Sequence, residues 1–345
     1  MKKLLILLFV LFSFSSYSQI TIISNSSTSL YTNDLLDLYA VPVEGFTYSW
    51  NGPGRLSSED EYLYGIVKSA NSGIYTVTAT DGENTSTSTI AITVTARSVI
   101  NAKVLLSGCY NVISGLMYDS LRTYSLIPTL DPYGSGSSVD PSVFVSTGSD
   151  AIVDWVKLEL RSSSNSSTIL YTKGALLQRD GNIVDMDGTS YVTFKNAPIG
   201  TYYLSVKHRN HLGIMKASTI TTTEAGVSVD FTNPSTTLYL KSIPYNNPSP
   251  LSGATRVQGG KLTLYAGNGY KNETIQIISY GGYGDRQFLL KYTGLSGSIY
   301  GYSNYDYNMN GRSNYNYPVN TASDRYTLLL NCASNSLLKV YEQLP

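Results

Sequence analysis

Histidine, cysteine and tryptophan are scarce in this chain, with two of each among 345 residues. So few imidazoles and thiols leave little material for a catalytic or zinc centre built on His or Cys. No Gly-x-Ser-x-Gly elbow occurs, and no carboxylate pair stands out from acids in turns, so enzymatic activity is not expected. Charge is equally thin. Lys and Arg number 24, Asp and Glu 24, and together they make up 14% of the chain. So dilute and balanced a charge gives no electrostatic footprint for nucleic acid or an anionic membrane, and neither is expected as a partner.

Long apolar runs are missing too, with one exception. Met1, Lys2 and Lys3 give a short positive start, residues 4–14 are almost wholly apolar, and Ser16-Tyr17-Ser18 sets small residues where a signal peptidase reads. The pattern predicts a signal peptide over residues 1–18 with cleavage before Gln19. The run is shorter than the roughly 20 residues of a membrane-spanning helix, so no membrane insertion is expected after cleavage. No Cys stands at the cleavage site, and a lipid anchor is not expected. Cys109 and Cys332 leave two readings open. In an oxidising compartment they pair across a very long loop, or they are separate buried thiols.

What the chain has in plenty is Thr, Ser, Tyr, Val and Gly, a β composition without helical stretches of Glu, Lys, Ala and Leu. The ~325 residues after the signal exceed one sandwich and predict two or three domains. Over 19–96, apolar and polar residues alternate between turn signals, as in Leu36-Asp37-Leu38-Tyr39-Ala40, Thr47-Tyr48-Ser49-Trp50, Ile74-Tyr75-Thr76-Val77-Thr78-Ala79 and Thr89-Ile90-Ala91-Ile92-Thr93-Val94. That is the pattern of a small antiparallel sandwich. Asn71-Ser72-Gly73-Ile74-Tyr75 resembles the tyrosine corner of immunoglobulin-like domains, and Trp50 stands where their core tryptophan would. Their two core cysteines are absent, with Val77 in the later position. Such a module implies a spacer or a weak binding unit.

Residues 96–101 read as a linker. A second β-rich region, 102–232, is interrupted by the Gly/Ser/Pro-rich stretch 131–150, which reads as a loop. Val192-Thr193-Phe194, then Ala197-Pro198-Ile199-Gly200, then a Tyr-bearing strand through Val206 is similar to prealbumin-like sandwiches. The expected fold is therefore mainly β, tandem antiparallel sandwiches followed by a small C-terminal module over 233–345. In that module Asp285-Arg286-Gln287-Phe288-Leu289-Leu290 returns as Asp324-Arg325-Tyr326-Thr327-Leu328-Leu329, each copy after an Asn/Gly/Tyr-rich loop. Such a repeat predicts a paired supersecondary unit.

Three phrases together carry a wider resemblance: Gly115-Leu116-Met117-Tyr118-Asp119-Ser120-Leu121-Arg122; Asp154-Trp155-Val156 with Ala175-Leu176-Leu177-Gln178-Arg179-Asp180-Gly181; and His208-Arg209-Asn210-His211-Leu212-Gly213. They resemble a family of secreted Bacteroidetes hemagglutinin-like surface proteins with dockerin-like calcium loops, over 102–345. Glu342-Gln343-Leu344-Pro345 also fits that family's chain end. The resemblance implies an extracellular surface role and brings no catalytic activity.

Asp306-Tyr307-Asn308-Met309-Asn310-Gly311 resembles the start of a calcium loop, where alternation aims three side-chain oxygens at one point and Gly permits the turn. Tyr317 stands where the loop's closing acid would, and Asp324 is the acid able to replace it. Asn268, Tyr270, Asn272, Glu273 and Asp285 are the weaker matching set in the first copy. Calcium is thus the one cofactor in view, against two loops held by hydrogen bonds alone. Asp180, Asp185 and Asp187 cluster around two Gly turns and, with Arg179, His208 and His211, suggest either a metal or ligand site or ordinary turn acids. The histidines are three apart on an expected strand, which would point their rings to opposite faces.

Tyrosine is the main anomaly, at 30 residues, with Tyr300, Tyr302, Tyr305, Tyr307, Tyr315 and Tyr317 crowded into one stretch. Exposed tyrosines stack on sugars or partner proteins at low entropic cost; buried ones cover strand edges. The expected function is a surface or matrix adhesin or structural protein binding through these loops to other surface proteins or glycans, with self-association open. A carbohydrate-binding protein using Trp155 or the tyrosines, and a calcium-dependent docking module, are the alternatives.

Overall fold

The computed structural model describes residues 20–241, 253–277, 284–316, 323–331 and 339–345. The expected signal peptide, Tyr317 and Cys332 lie outside them. Two compact units make up the chain, Met1–Ala96 and Arg97–Pro345.

Alternation along a strand sends every second side chain to one face, and the first unit follows it. Its strands are β1 (Ile22–Ser24), β2 (Ser29–Tyr31), β3 (Leu35–Ala40), β4 (Thr47–Asn51), β5 (Ser57–Ser58), β6 (Tyr62–Ile66), β7 (Gly73–Thr80) and β8 (Thr85–Thr95). They form two sheets, ordered β1-β3-β6 and β2-β8-β7-β4-β5. Leu36, Leu38 and Ala40 of β3 and Leu63 of β6 share one core with Trp50, Tyr75, Val77, Ala79 and Ile92. Each fully buried aliphatic side chain contributes roughly 1.5–3 kcal/mol. Trp50 pairs in register with Val77, so aliphatic packing fills the place of a core disulfide. The Tyr75 hydroxyl donates to Asn71 O at 2.9 Å, closing a tyrosine corner. The unit is an immunoglobulin-like sandwich, as its sequence pattern predicts.

The second unit begins where a linker is expected. Residues 97–101 lie in β9 (Arg97–Lys103), a central strand flanked by β14, β15 and β19. Ser98, Ile100 and Ala102 are buried at period two; small and polar residues masked that alternation in the sequence. The strands that follow are β10 (Tyr110–Asn111), β11 (Leu116–Met117), β12 (Ile152–Ser162), β13 (Ile169–Gln178), β14 (Asn182–Val184), β15 (Val192–Pro198), β16 (Thr201–Lys207), β17 (Ile214–Met215), β18 (Ile220–Thr221) and β19 (Val227–Asp230), with helix α1 (Ser120–Thr123) before β12. The main sheet runs β15-β9-β14-β13-β12-β16-β17, with β18 beside β16 and β19 parallel to β9. β12 is buried on both faces, yet its sequence alternates from Val156 to Arg161; the buried Glu159 is tolerated there because Lys157 and Arg161 pair with it at 2.8 and 2.6 Å. Residues 131–150 hold two short 3-10 turns and no strand.

The C-terminal residues share that core. Leu264, Ile275, Leu289, Tyr307, Leu328 and Val340 belong to the same buried cluster as Ile100, Trp155 and Leu204. Here lie β20 (Thr255–Gln258), β21 (Lys261–Leu264), β22 (Thr274–Gln276), β23 (Ser298–Tyr300), β24 (Arg312–Asn314) and β25 (Lys339–Tyr341). The repeated phrases are helices, α2 (Asp285–Thr293) and α3 (Asp324–Asn331), packed on each other. Each helix opens with its Asp and buries the Leu four residues on, Leu289 or Leu328, because positions i and i+4 share one face.

Candidate functional site

A buried polar network joins the sheet to the C-terminal part. A register shift in β12 precedes Asp154, and such irregularities re-aim side chains. Asp154 is fully buried and accepts four hydrogen bonds. Oδ2 accepts from Arg209 Nε at 2.8 Å and His208 Nε2 at 3.1 Å, and Oδ1 from the Tyr302 hydroxyl at 2.7 Å and Trp155 N at 2.8 Å. Burial alone would push this carboxyl up; the guanidinium, imidazole and hydroxyl outweigh it and hold the group at about 2. Arg209 also donates to Ser303 O and stacks over the Tyr302 ring, 4.2 Å to its centroid.

The two histidines meet, contrary to the strand-based expectation. β16 ends at Lys207, so His208 and His211 lie in a turn, with their Nδ1 atoms 3.1 Å apart and rings edge to face at 4.8 Å. One tautomer assignment satisfies every contact. His208 Nε2 donates to Asp154, His211 Nδ1 donates to Asn210 Oδ1 at 2.7 Å and toward His208 Nδ1, and His211 Nε2 accepts from Gly108 N at 3.3 Å. Burial lowers the pKa of both rings, most at His211 where His208 and Arg209 add repulsion. Neutral and hydrogen-bonded, they are structural. Among the described residues no group of three or more His, Cys, Asp or Glu side chains stands ready for a metal.

The tyrosines expected as a binding face are mostly inside. Tyr307 is fully buried and Tyr315 nearly so, with Arg325 over its ring. Tyr302 serves the Asp154 network, and Tyr305 packs against Tyr292 and Tyr307. Trp155 is 0% exposed and its Nε1 donates to Pro128 O at 2.8 Å, which removes it as a stacking platform. Residues 300–317 hold no Leu, Ile or Val, and that stretch supplies tyrosines, Tyr307 and Tyr315, to the core instead. Tyr300 alone of the five described keeps an open face, 53% exposed. It stands edge to face with Tyr124, equally exposed, at 6.2 Å, while Arg312 stacks over it at 4.5 Å. Thr123 and Ser125, on either side of Tyr124 in the chain, line a groove of about 550 Å³ with Phe144 and exposed Val145.

In the second repeat loop, Asp306 accepts from Asn310 N at 3.0 Å and Gly311 N at 2.8 Å. Asp324 accepts from Tyr307 N at 2.5 Å, Asn308 N at 3.2 Å and Asn314 N at 2.8 Å. Burial and then mutual repulsion push Asp324 up, and burial pushes Asp306 up against Arg209. Both oxygens of Asp306 and Oδ2 of Asp324 keep a further lone pair, while Asp324 Oδ1 already accepts twice, and Asn308 and Asn310 carry amide oxygens in the same loop. Two carboxylates and two amides fit a hard cation weakly. In the first loop Asp285 accepts from Gln276 N at 2.9 Å and Tyr270 N at 3.4 Å. There Tyr270 stacks on Phe288 at 3.9 Å, turned to packing.

The Asp-Gly cluster is turn chemistry. Asp180 accepts from Asn182, Asp185 from Met186 N and Thr193 N, and Asp187 from Thr189 N and Ser190. Arg179 reaches Met117 O at 2.7 Å and lies 3.6 Å from Asp119. Among the described residues Cys109 is a buried thiol without a disulfide, its pKa raised by burial; Cys332, its partner in one of the two readings left open, lies outside them.

No family model matches this sequence, and no curated protein does. Among solved structures, the chain is similar to an amphioxus IgVJ-C2 molecule at 19% identity over 22% of this chain and 43% of that one, TM-score 0.20. The three N-terminal domains of the bacteriophage RB49 Highly Immunogenic Outer Capsid protein match at 13% identity over 59% of this chain and 66% of that one, TM-score 0.20. The human OSCAR ligand-binding domain matches at 11% identity over 59% and 98%, TM-score 0.19. The chain thus spans less than half of the amphioxus molecule, and overlaps so slight leave the fold resting on the strand order and tyrosine corner themselves.

Proposed function

We propose that this chain is an exported protein of the cell surface or extracellular matrix that acts by binding, an adhesin or structural subunit rather than an enzyme. The immunoglobulin-like unit is a spacer and the second unit makes the contacts. The observation that carries this reading is the exposed Tyr124–Tyr300 pair with Arg312 stacked on it. Two tyrosine faces and a guanidinium offer flat apolar area, hydroxyls and a cation together, the chemistry that holds a sugar ring or a partner's side chains. Residues 1–18 support export, and no described helix is long and apolar enough to cross a membrane. The neutral histidines, held in hydrogen bonds to Asp154, Asn210 and Gly108, and the buried Cys109 offer no activated nucleophile.

A glycan array and a binding assay on envelope preparations, both with the full chain, test the reading. Binding tighter than about 1 mM that falls at least about tenfold in a Tyr124→Ala/Tyr300→Ala variant of unchanged melting temperature supports it. Binding that survives both substitutions sinks it. A second reading, a calcium-dependent docking module, is favoured by the two buried carboxylates of Asp306 and Asp324, whose charge a divalent cation would offset.

A further inference from the structure

A second concave site lies in the same unit, away from the tyrosine pair. It is a pocket of about 220 Å³ whose walls include Lys157, Lys207, Lys271, Asn268, Glu273 and Glu342. His208, Arg209 and Tyr133 also line it, so the buried network opens here.

Three observations set its chemistry. Most of its charges are matched: Lys157 lies 2.8 Å from Glu159, Lys207 3.0 Å from Glu342, Lys241 2.8 Å from Glu273, and Arg209 2.8 Å from Asp154. Lys271 forms no ion pair among the described residues, and Glu159 is shared by Lys157 and Arg161, so the charge left over around the pocket is positive, with Lys271 at its mouth. Asn268 is only 6% exposed, yet among the described residues its Oδ1 has no hydrogen-bond partner; a buried acceptor left so costs about 1–3 kcal/mol unless a ligand supplies a donor. Finally, Lys271 and Glu273 sit at φ +58° and +65°, a left-handed backbone that costs a non-glycine residue about 1 kcal/mol or more and clusters at ligand sites.

We propose that this pocket binds an acidic monosaccharide unit, a uronic acid at the end of a glycan. Its single carboxylate pairs with the Lys271 ammonium, and its ring hydroxyls donate to Asn268 Oδ1 and to the Glu273 and Glu342 carboxylates. The volume lies below the roughly 300 Å³ where drug-sized ligand sites begin, which suits one sugar ring. A neutral sugar leaves the surplus charge unmatched. A simple carboxylate or an acidic peptide side chain leaves the three acceptors without hydroxyl donors. A free amino acid carries no net charge to balance Lys271. The site goes beyond the tyrosine reading and does not depend on it, since loss of Tyr124 and Tyr300 leaves every residue of the pocket in place.

Calorimetric titration of the full chain with D-glucuronate and D-galacturonate, against D-glucose, D-galactose, acetate and glutamate, is the test. At least one uronate should bind about tenfold or more tightly than every control, the value of one charge-assisted hydrogen bond. Lys271→Gln, an exposed substitution that keeps the melting temperature, should weaken that binding by about tenfold or more. Tyr124→Ala/Tyr300→Ala should leave it unchanged, separating this site from the tyrosine patch. No uronate binding, equal binding of acetate or glutamate, or uronate binding that persists in Lys271→Gln overturns the proposal.

Discussion

The Tyr302 hydroxyl donates to Asp154 Oδ1 across 2.7 Å, tying the tyrosine-rich loop to strand β12 over 148 residues of chain. Asp154 also carries Arg209, so this contact is one arm of a buried ion pair that bridges two parts of one core.

Asp154→Asn should therefore destabilise the second unit by about 3–5 kcal/mol, because it strands the Arg209 guanidinium without its counter-charge. Tyr302→Phe, which removes one hydrogen bond, should cost about 1–3 kcal/mol. Urea unfolding in a Trp50→Phe background reads this unit alone, since Trp155 is then the sole indole. A double variant whose cost equals the sum of the singles would show the two residues to be uncoupled.

Asp285 gives a pH test. Burial pushes its carboxyl up to about 7 from 3.8, against the hydrogen bonds it accepts from Gln276 N and Tyr270 N. A raised folded-state pKa means that the native state holds the proton more tightly, so this contribution is full below about pH 4 and lost as pH climbs to about 7. On the order of 3 kcal/mol is at stake. The stability difference between Asp285→Asn and the parent should shift in favour of Asn by that amount between pH 5 and pH 8. Equal differences at both pH values would refute the assignment. The neutral histidines act in the opposite sense, losing stability as pH falls below about 6.5, and cancel in this comparison.

Gly108 packs so closely that an added Cβ would stand 1.9 Å from Tyr307 O. Gly108→Ala should lower stability by about 3 kcal/mol or more, through displacement of the Tyr307 backbone and loss of the hydrogen bond to His211. Gly115→Ala is the control, at φ +71° with open space around it, and should cost about 1 kcal/mol. Thermal melts of the two variants should separate by several degrees.

Calcium at about 1 mM, the level at which weak extracellular calcium modules fill, should raise the melting temperature of the second unit by a few degrees, and chelator should reverse it. Asp306→Asn should abolish the rise. A melting temperature indifferent to calcium would leave the Asp306 and Asp324 loops held by their own amides.

Much of the first unit was legible in its sequence. Where one face is buried and the other wet, hydrophobicity alternates residue by residue, and Leu36, Leu38, Ala40, Trp50, Tyr75 and Val77 show it directly. The second unit is less uniform. β12 alternates visibly, with Leu158 and Leu160 between Lys157, Glu159 and Arg161, although both of its faces are buried; β9, with small or polar Ser98, Asn101 and Ala102, does not. Asp-Gly turns and the repeated Asp-Arg phrases were also readable, as local backbone chemistry is.

The candidate sites were not legible in the same way. Composition and order determined a mainly β chain, an N-terminal export pattern, the tyrosine corner and the repeated Asp-Arg phrase, because each depends on residues within a few positions of one another; that Asp285 and Asp324 open helices came from the structure. Tertiary structure alone decided that His208 and His211 meet in a turn, that Tyr307 and Trp155 go inside while Tyr300 stays out, and that Asn268 and Lys271 share a pocket with Lys157 and Lys207. Those outcomes depend on contacts beyond the reach of a local pattern: 27 positions separate Pro128 from Trp155, 54 Asp154 from His208, and 103 Gly108 from His211. Burial and charge pairing at such separations follow from which surfaces the folded chain brings together, and no short pattern records them.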